Sequence, residues 1–313
     1  MTMHRDPAAQ ALAGTALRRI LWVALAATAT LLASVVPANA QQVELRWNFE
    51  AGDEHVYEMS QLTRTLMGGM GEMMQTQTTR YRQEVVDVDA DGTARIEVTY
   101  DAIRMDMDGP AGNMSWDSEV DDADTDNPLG MGMGGMVGQT FTVVVTSDGI
   151  VRSVEGVDAM MEAMLEGTPP EARAMLEGTF GDEGMVDMMQ QSFQSFPSGP
   201  VQTGDDWESS ISVNVGFGTM TSTYVHTLRE VTQEDGRTVA LISVEGETGG
   251  IDPDPDNPMA AMIQSEGGPV KGEMVFDVER GLMIRGTTET TVRMSAMGQD
   301  MSITSEMSLR LVN

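Results

Sequence analysis

The 313-residue sequence contains no cysteine, which excludes disulfides, thiolate metal sites and cysteine nucleophiles. Positive charge is also scarce, because 18 basic residues face 49 acidic ones and the formal net charge is −31. Such a surface repels polyanions, so we expect no nucleic-acid partner. Aromatic residues make up only 5% of the chain, whereas methionine is abundant, with 29 residues.

Motifs of the common enzyme classes are missing as well. The sequence has no His-Glu-x-x-His, no Gly-x-Ser-x-Gly and no glycine-rich phosphate loop. His226 lies in an alternating pattern without a nearby nucleophile motif, which favours a strand residue over a catalytic base. We therefore predict a protein that is not an enzyme, with no catalytic residues, no cofactor and no conventional metal site.

The long apolar run lies near the start of the chain. Two arginines precede "ILWVALAATATLLASVV", and "PANA" follows it. Small residues at Ala38 and Ala40 predict a secretory signal peptide over residues 1–40, cleaved before Gln41. The alternative is a membrane anchor, for which the run is at the short end. We expect an exported protein, periplasmic or extracellular, with no membrane span after cleavage.

After the signal, apolar residues alternate with polar ones. The stretches "VELRWNF" at 43–49, "ISVNVGF" at 211–217 and "MSITSEMSLRLV" at 301–312 all show this pattern. A period of two predicts half-buried strands of an antiparallel sheet. Asp-Gly pairs between such stretches, as at Asp91-Gly92 and Asp235-Gly236, predict hairpin turns.

The turn signals also show an internal repeat. "GDEHVYEMS" at residue 52 matches "GDDWESSIS" at residue 204, and each is followed by an Asp-Gly turn, an Asp-Asn-Pro and another turn. We predict a mainly β fold, an antiparallel half-barrel or open barrel built from two similar β-meander halves. The halves are residues 41–156 and 200–313, joined by a helical insertion at 157–199, and together form one compact domain.

The leading functional hypothesis is a non-enzymatic exported binding protein that holds an apolar ligand, a lipid or a hydrophobic small molecule. Methionine-rich helices beside a curved sheet would form an adaptable apolar cavity. The residues predicted to line it are Trp47, Phe49, Met160, Met164, Met188, Met189, Phe193 and Trp207.

Two alternatives remain open. One is a structural or protein-interaction component of the cell envelope, with an envelope protein as partner. The other is Cu(I) handling through the methionine-rich loops, because thioethers are soft ligands. Its candidate ligands are Met131, Met133 and Met136 in "GMGMGGM".

Three stretches carry a resemblance to a known family: "LRWNFEAGDEHVYEMS", "GPVQTGDDWESS" and "FDVERGLMIRGTTETTVRM". With them the chain resembles an uncharacterised family of exported bacterial β-rich proteins, a domain of unknown function found often in lipoproteins. The resemblance implies a β-rich fold and no particular activity. This chain departs from the lipoprotein members because Gln41 stands where they carry the lipid-bearing cysteine. The predicted fold is also similar to the half-barrels of periplasmic lipoprotein carriers.

Overall fold

Most of the described chain forms long strands in which apolar and polar side chains alternate. The computed structural model describes residues 42–69, 71–110, 112–121, 127–158, 185–187, 189–190, 193, 196–214, 218–253, 255, 263–296 and 299–312. In this part of the chain no helix is both long enough and apolar enough to cross a bilayer. The predicted signal peptide lies outside the described residues, so its cleavage stays a prediction.

Twelve strands make up the described fold. They are β1 (Glu54–Met67), β2 (Gly71–Val88), β3 (Ala94–Gly109), β4 (Gly112–Asp117), β5 (Thr140–Val145), β6 (Val151–Glu155), β7 (Asp206–Asn214), β8 (Gly218–Glu234), β9 (Arg237–Pro253), β10 (Ile263–Asp277), β11 (Leu282–Ala296) and β12 (Gln299–Leu311).

All twelve strands belong to one antiparallel sheet. Its order is β6-β5-β3-β2-β1-β12-β11-β10-β9-β8-β7, and β4 pairs with β3 beside this path. Each half is a meander, and the halves join where β1 pairs with β12. The described strands leave the sheet open between β6 and β7, which confirms the predicted mainly β, open half-barrel architecture.

The Gly-Asp landmarks of the two halves adopt the same local geometry. Gly52 and Gly204 both have a φ of 94°. The Gly52 amide donates to Val85 O over 2.7 Å, and the Gly204 amide donates to Leu228 O over 2.8 Å. Glycine is favoured at both positions because side chains are strained at positive φ. The similar starts of the two halves therefore fold into the same turn.

The segment 42–49 is not a regular strand, contrary to the prediction from its alternation. Val43 forms an isolated bridge with Val201, Trp47 N donates to Ser147 O, and Asn48 N donates to Gly281 O. The alternation survives, because Val43 and Trp47 are buried. The segment instead bonds to the chain before β7, after β5 and between β10 and β11, without forming a ladder.

The two methionine- and glycine-rich stretches differ in structure. The first is "MGGMGEMM" at 67–74, in which Gly68 and Gly69 form the turn between β1 and β2 and residues 71–74 begin β2. "GMGMGGM" is not a plain loop, since it contains helix α1 (Pro128–Met133) and a 3-10 turn (Gly134–Met136). Asn127 caps α1 by accepting a hydrogen bond from Leu129 N.

The main core lies on one face of the sheet. It combines residues of both halves with the segment 42–49 and with Met185, Met189, Phe193 and Phe196 of the insertion. Residues 185–187 and 189–190 are helical, whereas residues 159–184 lie outside the described part. A second cluster of Ile103, Met105, Trp116 and Leu129 lies between β3, β4 and α1.

Candidate functional site

The face of the sheet that carries the core can be followed from strand to strand through the register. Tyr57 of β1 pairs with Tyr81 of β2 and with Leu311 of β12, so all three lie on this inner face. Every second residue of β1 from Tyr57 to Met67 lies on the same face. Each of them, with the residues paired to it on the neighbouring strands, forms one row across the sheet. The inner face therefore forms a series of cross-strand rows.

The row through Tyr57 separates two ends of this face. On one side lies a packed aromatic cluster around Trp47. Its ring centroid is 5.4 Å from that of Phe193, 5.9 Å from that of Phe196 and 5.5 Å from that of Phe276. Trp47 also stacks on Phe49 at 6.1 Å. This packed end brings the N-terminal segment, the insertion and β10 together.

The boundary is a row of tyrosines, one from each of the first three strands. Tyr57 stacks on Tyr81 at 5.7 Å, and Tyr81 contacts Tyr100 edge-on at 6.5 Å. The Tyr57 hydroxyl donates to the Met283 carbonyl oxygen over 3.1 Å. Burial raises the pKa of all three phenols above their usual range, so they stay neutral at physiological pH.

Beyond the tyrosine row the inner face becomes polar but not charged. Two adjacent rows carry amide and hydroxyl side chains, with Met307 between Gln61 and Thr288, and we call their polar members the amide belt. Gln61 Nε2 donates to Ser305 Oγ over 3.0 Å, and Gln77 Nε2 donates to Thr79 Oγ1 over 3.2 Å. All belt members are half-buried. They are Gln61, Thr63, Gln75, Gln77, Thr288, Thr290 and Ser305.

No Asp, Glu, Lys or Arg occupies the inner face in the described strands, although charged residues make up 21% of the chain. The ion pairs all lie elsewhere. Arg310 pairs with Glu58 at 2.7 Å and Arg285 with Glu234 at 2.6 Å, both from outward-facing positions. A strongly acidic protein thus presents a neutral inner surface.

Two imidazoles lie on this face, those of His55 and His226, and burial lowers the pKa of both. His226 of β8 is 1% exposed, and its ring stacks on Trp207 with centroids 5.3 Å apart. Its Nε2 lies 2.8 Å from Ser209 Oγ, while Nδ1 has no hydrogen-bond partner in the described part of the chain. Burial lowers the pKa of His226 to about 4, so it carries no charge near neutral pH.

Glycines on β9 and β10 allow this part of the sheet to bend. A Cβ on Gly246 would collide with the Thr223 carbonyl oxygen, and one on Gly268 with the Thr291 carbonyl oxygen. Glycine within a strand commonly marks such close backbone approach and local curvature. Glycine at these two positions thus lets neighbouring strands of the second half approach closely.

The residues predicted to line a cavity fall into two groups. Trp47 and Phe193 are buried in the packed end together with Met189, while Phe49 and Trp207 are partly buried against the same core. Trp47, Phe49 and Phe193 contact one another, and their role in lining a cavity stays a prediction. Met160, Met164 and Met188 lie outside the residues whose side chains are described.

The predicted copper loop is also only partly described. Met133 and Met136 are half-buried and pack against the second cluster, beside Trp116 and Leu129. The side chain of Met131 lies outside the described residues. The two described thioethers thus serve as packing for an apolar cluster.

Apolar alternation did not indicate the amide belt, because beyond Ser60 the apolar Leu62 and Leu66 of β1 lie on the outer face. A different signal was present. Charges keep to one parity in β1, β11 and β12, as at Glu54, Glu58 and Arg64 of β1. A search for charge-free alternate positions would have identified the inner face of these three strands.

The model of a protein family described as "Family of unknown function (DUF6263)" matches residues 91–283. No curated protein matches the chain. Among solved structures, the hypothetical lipoprotein YmcC from Escherichia coli (K12) aligns at 9% identity, with a TM-score of 0.21, over 78% of this chain and 85% of that one.

Two further structures align at 8% identity. The alignment with DynF, from the dynemicin biosynthesis pathway of Micromonospora chersina, has a TM-score of 0.20 and covers 86% of this chain and 85% of DynF. The alignment with OmpF of Salmonella typhi, in complex with daunomycin, has a TM-score of 0.24 and covers 83% of this chain and 98% of OmpF. At such scores none of these structures bears on what the chain binds.

Proposed function

The chain belongs to this family of unknown function, and we propose that it is an exported, non-enzymatic binding protein that holds an uncharged amphiphile against the inner face of its sheet. The amphiphile would be a lipid or a hydrophobic small molecule with a neutral polar group. Its polar group would bind the amide belt, and its hydrocarbon would lie along the methionine and aliphatic residues of the same face.

One observation supports this proposal above the others. The inner face is free of charged residues across all the described strands, yet it is not simply apolar beyond the tyrosine row. Half-buried amides and hydroxyls there offer both hydrogen-bond donors and acceptors. Such groups suit esters, amides and hydroxyls of a ligand, which need partners when they leave water.

The absence of charge also selects against other ligands. An ionised group moved onto this face would lose water without gaining a counter-ion, which costs several kcal/mol or more by general estimates. Anionic lipids meet a further penalty, because the protein as a whole carries a formal net charge of −31. A neutral amphiphile avoids both costs.

The ligand itself is best sought in protein purified from its own host. Native mass spectrometry should show the protein with a bound species whose mass and fragmentation fit a neutral lipid or hydrophobic small molecule. Protein that is free of any such species, and that also fails to take up neutral amphiphiles added in solution, would contradict the proposal.

A charge placed in the amide belt tests the location. Gln61→Glu keeps the shape of the side chain and still allows Ser305 to donate to it, but adds a carboxylate to the neutral face. We expect the affinity for a neutral monoacylglycerol to fall by about tenfold or more, which corresponds to about 1.4 kcal/mol. The assay is fluorescence displacement of a neutral probe.

Gln264→Glu is the matched control for this change. Gln264 lies on β10, is exposed and pairs with Ser295 on the outer face. Both variants change the net charge of the protein by the same amount, so any difference in affinity between them comes from the position of the new carboxylate. Equal loss of affinity in the two variants would place the ligand elsewhere.

A further inference from the structure

Three methionines form one continuous row at the far rim of the inner face. Met67 of β1 pairs directly with Met301 of β12, and Met301 pairs directly with Met294 of β11. All three are half-buried and therefore accessible from solvent. We call this set the methionine rim. It is distinct from the loop methionines 131, 133 and 136 that the sequence suggested.

The register brings the three thioethers within reach of one point. Directly opposed residues in antiparallel strands have Cβ atoms about 4.5–5.5 Å apart. Met301 is the middle member, so its sulfur has a methionine neighbour on each side. Each side chain has three rotatable bonds beyond the backbone, which lets the sulfurs turn toward a shared ligand. Three strands of a paired sheet hold the spacing fixed.

We propose that the methionine rim binds a soft monovalent metal ion, Cu(I) or Ag(I), through the sulfurs of Met67, Met294 and Met301. Neutral thioethers favour soft ions over Zn(II), Ca(II) or Mg(II), which prefer imidazole, thiolate or oxygen ligands. In the described residues no group of three or more His, Asp or Glu offers such a hard-ion site. Binding involves no electron transfer, since the ion enters already in its monovalent state.

The site does not depend on the proposed amphiphile. The rim lies two rows beyond the outer row of the amide belt, as Thr63, Thr65 and Met67 follow one another on the inner face. Leucine in place of methionine keeps the apolar character of the rim but removes the sulfur ligand. Loss of metal binding with retained amphiphile binding thus separates the two proposals.

The test is an anaerobic titration of the purified protein with Cu(I) against a chromophoric competitor, repeated with Ag(I). We compare wild type with Met67→Leu, Met294→Leu and Met301→Leu. Each change should lower the affinity for one bound metal ion by more than about tenfold. Disturbing only the contacts that support a ligand already costs roughly 10–100-fold in affinity, and here a direct ligand is lost. Met301→Leu should have the largest effect.

Met59→Leu is the matched control. Met59 lies on the inner face of β1 and is half-buried like Met67, but its partners are Thr79 and Leu309 rather than methionines. In protein labelled with ¹³C at the methionine methyls, Ag(I) should shift the signals of residues 67, 294 and 301 and leave that of Met59 in place. Unchanged affinity in all three rim variants, or equal loss in the control, would overturn the proposal.

Discussion

The two ends of the inner face use the same sheet in different ways. At the packed end Trp47 contacts three phenylalanines from two other parts of the chain. Four residues past Tyr57 the same strand presents Gln61, half-buried and bonded to a serine hydroxyl across the strand pair. The packed end stabilises the fold through the burial of apolar side chains. The amide belt keeps polar groups near the surface, because burying them would add little stability.

The same meander thus forms a packed core at one end and, in the proposed function, a binding surface at the other. Strands of 13 to 18 residues, such as β12 and β2, are longer than the core requires. Their outer faces carry the ion pairs, so the inner face of the extra length is free of charge. The comparison predicts large stability effects at the packed end and small ones at the amide belt.

The largest effect is expected from Trp47→Ala. This change removes the central ring of the packed end, and loss of a buried aromatic side chain typically costs about 3–5 kcal/mol. Urea unfolding followed by circular dichroism measures it. A loss under about 1 kcal/mol would mean that the aromatic cluster does not hold the two parts of the chain together.

The next effect is a pH dependence centred on His226. Its pKa is about 4 in the folded protein, below the ordinary value of 6.5, because burial disfavours the charged ring. The unfolded chain binds a proton more readily between these values, so His226 destabilises the fold as pH falls from 6.5 toward 4. The expected loss is roughly 3 kcal/mol at the acid end.

Comparison with His226→Gln isolates this contribution from that of the many carboxylates. The free energy of unfolding of wild type relative to the variant should fall as pH is lowered from 6.5 to 4 and stay constant above about pH 7.5. Parallel curves across the acid range would show that the imidazole is not buried in neutral form.

The close approach of strands at Gly268 of β10 can be tested by substitution. Gly268→Ala would place a Cβ against the Thr291 carbonyl oxygen, a rigid backbone atom. Overpacking of this kind costs about 1–3 kcal/mol. Gly286→Ala is the control on the same face, because its nearest neighbour at 3.4 Å is the flexible Met283 sulfur. Chemical denaturation should show a loss for the first variant only.

The smallest effect is expected from Gln61→Leu, in contrast with Trp47→Ala. The change removes a single hydrogen bond to Ser305 at a half-buried position, which is worth about 1 kcal/mol or less. Its stability should therefore stay close to wild type in the same urea assay. A loss as large as that of Trp47→Ala would make the amide belt part of the structural core.

Local patterns predicted much of this fold. Asp-Gly pairs marked real hairpins, with Gly92 and Gly236 both at positive φ, and the odd-numbered residues of "MSITSEMSLRLV" lie on the inner face as expected. The pairing of β1 with β12 had no local signal, because it joins residues some 250 positions apart through backbone groups. The segment 43–49 alternated like a strand, yet no continuous partner strand lies beside it.

The candidate site was harder to predict than the fold. Apolar residues such as Trp47 and Phe193 are predicted to line a cavity, and this stays a prediction, since the structure shows only that these two rings contact each other. The amide belt has no apolar pattern, so Gln61 and Gln75 looked like ordinary surface residues. Met294 and Met301 belong to one hairpin, but only the register shows that Met67, which is far from both in sequence, is their neighbour.

The most direct test of the account compares three amphiphiles with the same acyl chain and different headgroups: a neutral monoacylglycerol, the corresponding fatty-acid anion and an alkylammonium cation. Titration calorimetry at pH 7.5 gives the affinity for each. We predict that the neutral compound binds and that both ions bind at least about tenfold more weakly. Tighter binding of either ion, or no binding of the neutral compound, would contradict a neutral inner face as the binding surface.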